Sequence, residues 1–379
     1  MSKRIFLVAA EASGDALGAD LARVLRARDS SLILEGVGGA AMAEQGIVSK
    51  ADIGGLAVLG FIDGLLAYDR VKRAVAATVA AILASKPDVV VLIDSWGFTL
   101  RVAQGVRLAA PTIKLVKYIG PQVWATRPGR AKTLAATVDH LICIHDFETP
   151  YYAPYGLPCT VCGHPAVGRY RPGDAAAFRA RHGFSENEKI VLVLPGSRPA
   201  EIRRLGETFW RAALDLKHTH TRVRLVCVAA HAVRDSVVAQ APPDALIVDE
   251  REKEDAFAAA TVVLAASGTV TTEVALQGAP MVVGYKLGWI TWALARAFLF
   301  KGKYASLINV AANAEVAPEL IQTRFTAANI VAAAAPMFSD DARRQQQIAK
   351  QNAALDLMGR GGRPASEIAA DAVLREIAA

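Results

Sequence analysis

Aromatic residues are scarce in this 379-residue sequence, at 7%, and there are only four cysteines, Cys143, Cys159, Cys162 and Cys227. Apolar residues nevertheless make up 53%, so the chain is rich in Ala, Val and Leu, which excludes a disordered polymer. Cys159-Thr160-Val161-Cys162 has no second pair with which to complete a structural zinc site, and Gly163, not His, follows Cys162, which excludes haem attachment. So few thiols fit a reducing compartment. No apolar run reaches the roughly 18 residues that a membrane-spanning helix needs. The first apolar run, Ile5 to Ala10, stops at Glu11, short of a secretory core of about 7–15 residues, and reads as a buried first strand. The expectation is a cytoplasmic protein.

The net charge is +7, which is compatible with phosphates, nucleic acid or an anionic membrane, and equally with an ordinary soluble enzyme. The basic residues are scattered, with no Lys/Arg-aromatic patch of a nucleic-acid module, so no nucleic-acid partner is expected. A DxD motif and a histidine cluster are both missing, so neither a metal nor a cofactor is expected.

What is present is alternation. Short apolar runs at 5–9, 32–37, 89–93, 113–118 and 140–144 read as strands, and Ala/Leu/Arg-rich segments of helical spacing lie between them. A Pro- and Gly-rich stretch from Gly163-His164-Pro165 to Arg171-Pro172-Gly173-Asp174 reads as a linker. The alternation restarts with runs at 190–194, 223–228, 246–248, 262–265 and 281–283, and an Ala-rich helical tail begins near Phe325. The fold class is therefore α/β, with two doubly wound, Rossmann-like halves. Ligands bind beyond the carboxyl ends of such strands, so the loops there are the places to search.

Four of those loops carry chemistry. Glu11-Ala12-Ser13-Gly14-Asp15 precedes a helix and suits either an acceptor or phosphate contact or plain helix capping. Asp94, in Ile93-Asp94-Ser95-Trp96, is placed either for general-base work or as a strand-end cap. Leu194-Pro195-Gly196-Ser197-Arg198 offers a turn, free amides and a guanidinium for a diphosphate, or else a tight turn with a solvated Arg. Ser267-Gly268-Thr269, with Glu273 one helical turn later, suits a ribose, or a capping box. A fifth loop, Gly120-Pro121-Gln122-Val123-Trp124-Ala125-Thr126-Arg127, offers Trp124 and Arg127 either to a ligand or to the packing of the domain face.

These loops, together with Met281-Val282-Val283-Gly284-Tyr285 and Ser306-Leu307-Ile308-Asn309, occur in an order that resembles the lipid-A-disaccharide synthase family from about residue 4 to the C-terminus. The sequence departs from the family pattern at Ile308, where Pro is usual. The resemblance implies a GT-B fold with two Rossmann-like domains facing an interdomain cleft. It places an acceptor domain at 1–165, a UDP-sugar domain at 174–355 and a C-terminal helix, 356–379, on the first domain. The implied reaction is inverting transfer from UDP-2,3-diacylglucosamine to the 6-hydroxyl of 2,3-diacylglucosamine 1-phosphate (lipid X), giving a β-1,6-linked disaccharide 1-phosphate and UDP. The alternative is another UDP-GlcNAc-using GT-B enzyme, an epimerase or a peptidoglycan glycosyltransferase.

Inversion needs a base for the acceptor proton and a cation for the departing UDP. Asp94 is expected as the base, with Asp15 in reserve, and Arg198 as the cation beside the Gly196 and Ser197 amides. Ser13, Gly14, Asp15, Ser267, Gly268 and Thr269 are expected as substrate contacts, Glu273 as the ribose ligand and Asn309 as a further donor-site contact. Both substrates are acylated, so a peripheral location on the inner face of the inner membrane is expected. The segment 287–304, with Trp289, Trp292 and Phe298 among basic flanks, suits interfacial contact. A homodimer is left open.

Overall fold

The computed structural model describes residues 2–53, 64–288 and 303–378. Two compact units emerge from the chain, one of residues 1–168 with 362–379 and one of residues 169–361.

The first unit is built on six parallel strands: β1 (Arg4–Ala9), β2 (Ile33–Val37), β3 (Val89–Ile93), β4 (Lys114–Tyr118), β5 (His140–Cys143) and β6 (Cys159–Val161). Their spatial order is β2-β1-β3-β4-β5-β6. The central strand β3 reads Val-Val-Val-Leu-Ile and is buried at every position, as a strand covered by helices on both faces must be. β-Branched side chains favour this pleated, close-packed setting. The helix Ala12–Arg28 covers one face with Leu17, Leu21 and Leu25. The C-terminal helix Ala365–Ala378 packs beside it, burying Ala369, Ala370, Ala372 and Val373 against the same cluster as Ile5 and Leu7. Its small side chains let it lie close to the sheet.

The second unit repeats the plan with β7 (Lys189–Leu194), β8 (Val223–Ala229), β9 (Leu246–Asp249), β10 (Val262–Ala266), β11 (Met281–Tyr285) and β12 (Glu319–Ile321), all parallel, in the order β12-β11-β10-β7-β8-β9. The helix Pro199–Thr219 starts on a proline and buries Ile202, Leu205, Phe209, Ala213 and Leu216. That spacing of three and four is one apolar stripe, and Phe209 meets Phe325 edge-on at 5.0 Å between centroids.

The strand order locates the sites. In the first unit the chain leaves β1 toward β2 and then returns to build on the other side, so the order reverses between β1 and β3. In the second it reverses between β7 and β10. Crevices at such reversals are where open parallel sheets bind ligands.

Ten strand runs read from the sequence are present, shifted by a residue or so at their ends. The strands not read from the sequence, β6 and β12, are three-residue edges, too short to show a pattern. No helix among the described residues is long and apolar enough to cross a membrane. Most of the segment expected to touch a membrane, including Trp289, Trp292 and Phe298, lies outside the described residues.

Candidate active site

The loops after β7 and β10 face one cavity of about 360 Å³, within the range of small-molecule sites. Its lining includes the apolar Leu194, Val228 and Ala266, and also Gly196, Ser197, Arg198, Ser267, Gly268, Thr269 and Glu273. The sequence-derived loops of this half therefore converge.

Gly196 sits at φ +129°, and a Cβ there would lie 2.6 Å from the Glu201 Cβ, so no other residue fits without movement. Glu201, in the first turn of the following helix, accepts from the Ser197 N–H at 3.1 Å. The Arg198 guanidinium touches Glu201 only at 3.5 Å, and its side chain is 76% exposed. It is thus free to swing onto a phosphate, and a helix N-terminus lies beside it.

Glu273 does not close a capping box: no side chain caps its helix. Its Oε2 instead accepts from Lys253 Nζ at 2.9 Å, on the cavity wall. Both side chains are about one-third exposed, at 34% and 32%. Lys253 was not legible as a site residue, because Arg251-Glu252-Lys253-Glu254 reads as a solvated charge run. The available signal was its place just past the carboxyl end of β9.

Asn309 corrects an expectation. It is fully buried, and its amide makes four bonds. Nδ2 donates to the Ala317 carbonyl and Glu319 Oε1 at 2.8 and 2.9 Å, while Oδ1 accepts from the Val316 and Ala317 amides at 2.8 and 2.9 Å. That is the full capacity of an asparagine, so nothing remains for a substrate. Glu319 also accepts from the Ser306 amide at 2.7 Å, so this motif ties the chain to β12.

In the first unit, the loops after β1 and β3 are laced together. Ser13 Oγ donates to Asp94 Oδ2 at 3.2 Å, and Ser95 Oγ donates to Glu11 Oε1 at 3.1 Å. A Cβ on Gly14 would stand 3.7 Å from the Asp94 Cβ, so the helix Ala12–Arg28 begins directly against that residue. Asp94 and Ser95 both adopt left-handed backbone, at φ +46° and +40°, which is costly for residues with a side chain. What holds them is Lys117, buried in β4. Its Nζ donates to the Asp94 carbonyl and, at 2.8 Å, to Thr99 Oγ1. Burial pushes the Lys117 ammonium down to about 7, partly offset by the charge of Asp94. A lysine inside the apolar run Leu115-Val116-Lys117-Tyr118 was the sequence signal for this role, and it was missed.

Asp15 is the second correction. Its carboxylate is buried and accepts from the amides of Gly39, Ala41 and Met42 at 2.7, 2.8 and 3.1 Å. It caps the short helix Ala40–Glu44, with both positions of Oδ1 and one of Oδ2 taken by backbone amides, so its first role is structural.

Against known proteins, the chain matches the model of a family described as lipid-A-disaccharide synthetase over residues 5–373. It is 38% identical to the lipid-A-disaccharide synthase of Rhodospirillum centenum, covering 98% of this chain and 94% of that protein. Identity, and coverage of both chains, are the same with the lipid-A-disaccharide synthase of Ruegeria pomeroyi. Among solved structures it resembles an S. aureus MnaA–UDP co-structure, with a TM-score of 0.68 at 13% identity over 99% of this chain and 96% of that one. It also resembles UDP-GlcNAc 2-epimerase from Neisseria meningitidis bound to UDP-GlcNAc, with a TM-score of 0.66 at 11% identity over 99% and 100%. At such identities the structural likeness speaks for the fold alone, an α/β fold of GT-B type.

Proposed function

The chain belongs to the lipid-A-disaccharide synthetase family, and we propose that this UDP-sugar glycosyltransferase joins UDP-2,3-diacylglucosamine to 2,3-diacylglucosamine 1-phosphate. The 6-hydroxyl oxygen of the acceptor bonds to the anomeric carbon of the donor, the bond from that carbon to UDP breaks, and the hydroxyl proton passes to a base. In this reading the first unit takes the acceptor and the second takes the UDP-sugar.

The observation that supports the reading is the cavity at the second unit's strand reversal, which an exposed Arg198 and Glu273 both line. Arg198, with the Gly196 and Ser197 amides, stabilises the charge that develops on the leaving diphosphate. Ser267, Gly268 and Thr269 shape the opposite loop, and Glu273 accepts from the ribose hydroxyls. Asp94 is the base, at the strand reversal of the first unit. Ser13, bonded to its carboxylate, orients it. Two acylated substrates require work at a membrane surface, and the sequence of 287–304 suits that contact on the inner face of the inner membrane.

The test is turnover of UDP-2,3-diacylglucosamine with lipid X, with disaccharide and UDP quantified together. Equal amounts of both products are expected, and far slower reaction with UDP-GlcNAc as donor. No disaccharide, or equal use of UDP-GlcNAc, overturns the reading. The family match across nearly the whole chain disfavours the epimerase and peptidoglycan-transferase alternatives.

A further inference from the structure

Among the described residues, the turn after β4 carries two cations without a counter-ion. The Arg130 amide donates to the Arg127 carbonyl at 3.0 Å, so the two side chains leave opposite ends of one four-residue turn, Arg127-Pro128-Gly129-Arg130. Arg127 holds a left-handed backbone, φ +50°. Among the described residues neither guanidinium makes a hydrogen bond or an ion pair with a carboxylate. Elsewhere in the same unit Arg4 pairs with Glu35, Arg28 with Asp371 and Arg107 with Asp139. Burial and then the charge of Arg127 push the Arg130 guanidinium below its ordinary value, a sign that the two like charges are felt and not neutralised.

Their position is as informative as their charge. The Arg130 guanidinium lies over the Trp96 ring, 5.3 Å from its centroid. Trp96 follows Asp94 by two residues, and β3 and β4 are neighbours in the sheet. The indole therefore fixes one guanidinium beside the loop that carries the carboxylate, at the carboxyl ends of the strands.

We propose that Arg127 and Arg130 form a phosphomonoester site, and that its ligand is the 1-phosphate of the acceptor sugar. The assignment of the ligand rests on the function proposed above; the site itself rests on the uncompensated pair. Two planar guanidinium forks suit a dianionic phosphate, which offers oxygens to both. A phosphate held there would bring an acceptor sugar to the Asp94 loop, and a sugar lacking the phosphate would lose that anchor. An anionic lipid headgroup has the same chemistry. We favour the acceptor because Arg130 is tied to the Asp94 loop through Trp96.

The experiment uses the full-length chain and the double variant R127M/R130M, in which apolar length replaces charge. Binding of glucosamine 1-phosphate and of glucosamine is measured by calorimetry. The acceptor KM is measured in detergent micelles with lipid X and with its dephosphorylated form. Wild type is expected to prefer the phosphorylated partner by about tenfold or more in both assays, and the variant to lose that preference while binding UDP normally. An undiminished preference in the variant, or no preference in wild type, overturns the proposal. If wild type turns over neither acceptor but the variant alone loses sugar-phosphate binding, the site stands and the proposed reaction fails. Sedimentation with phosphatidylcholine vesicles, with and without phosphatidylglycerol, tests the other source. A variant that loses only vesicle binding, and keeps the phosphate preference in micelles, assigns the pair to the membrane and overturns the proposal.

Discussion

Lys117 Nζ, in the interior of the first unit, donates to the main-chain carbonyl of Asp94, the residue whose carboxylate accepts from Ser13 Oγ at 3.2 Å. A buried cation thus stands beneath two consecutive left-handed residues and fixes the direction in which the carboxylate leaves the backbone. No other buried position of β4 carries a charge: these are Leu115, Val116 and Tyr118.

Lys117→Met is expected to lower kcat by about 10–100-fold with UDP affinity unchanged, since loss of the clamp misplaces the carboxylate but leaves the second unit alone. Asp94→Asn should lower kcat at least as far, again without loss of UDP binding. Steady-state kinetics with UDP titration distinguish these outcomes: normal turnover in Asp94→Asn removes Asp94 from the mechanism, and normal turnover in Lys117→Met removes the clamp. A stability signature accompanies the lysine change. The folded ammonium sits at about 7, well below the ordinary lysine value of 10.5, so the unfolded chain binds more protons between those limits. Stability from this group therefore rises with pH through that window. Urea titrations at pH 7 and pH 9 should show wild type gaining relative to Lys117→Met at the higher pH.

At the nucleotide loop, Arg198→Ala is expected to cost on the order of 10²–10³ in kcat with a nearly unchanged melting temperature. The small stability effect follows from a side chain that is 76% exposed with one 3.5 Å contact. Gly196→Ala should do the reverse in kind: it strains the turn by about 1–3 kcal/mol and lowers the melting temperature, as well as weakening UDP binding. Thermal melts beside UDP titrations separate the two.

The Lys253–Glu273 pair predicts a binding defect without a folding defect. An ion pair this exposed is worth about 0–1 kcal/mol to the fold. Glu273→Gln should nevertheless weaken UDP by about tenfold through the ribose, and Lys253→Met by less, because it releases the carboxylate without removing it. Calorimetric UDP titration checks the order, and an unchanged affinity in Glu273→Gln excludes the ribose role.

Beyond β5, Glu148 and His145 oppose each other in acid. Glu148 Oε1 accepts from the Ile144 and His145 amides at 3.0 and 2.8 Å, yet burial pushes its carboxyl up to about 7. Burial pushes the His145 imidazole down to about 4, partly offset by Asp146. With Glu148 the folded state holds the extra proton between its ordinary 4.5 and about 7, so stability falls as pH rises. With His145 the unfolded state holds it between about 4 and the ordinary 6.5, so stability rises with pH. Glu148→Gln should therefore leave stability climbing between pH 5 and 6.5, on the order of 1–2 kcal/mol, and His145→Gln should leave it falling. Urea midpoints at the two pH values read the sign directly.

The sequence by itself determined the layout. Runs such as Val89-Val90-Val91-Leu92-Ile93 have one stable setting, a strand covered on both faces, and the spacing between runs leaves room for crossover helices. The same local logic marked Gly196, Arg198, Ser267 and Glu273, because a loop between strand and helix carries its chemistry in consecutive residues. Tertiary structure alone decided which polar groups remain free. Asp15 and Asn309 had the right residue types in the right motifs, but residues 24 to 27 positions away occupy most of the Asp15 carboxylate, and residues 7 to 10 positions away fill the Asn309 amide. Lys253 reaches Glu273 across 20 residues, and Lys117 reaches Asp94 across 23. A hydrogen bond is set by distance in space, and only the folded chain brings such partners together.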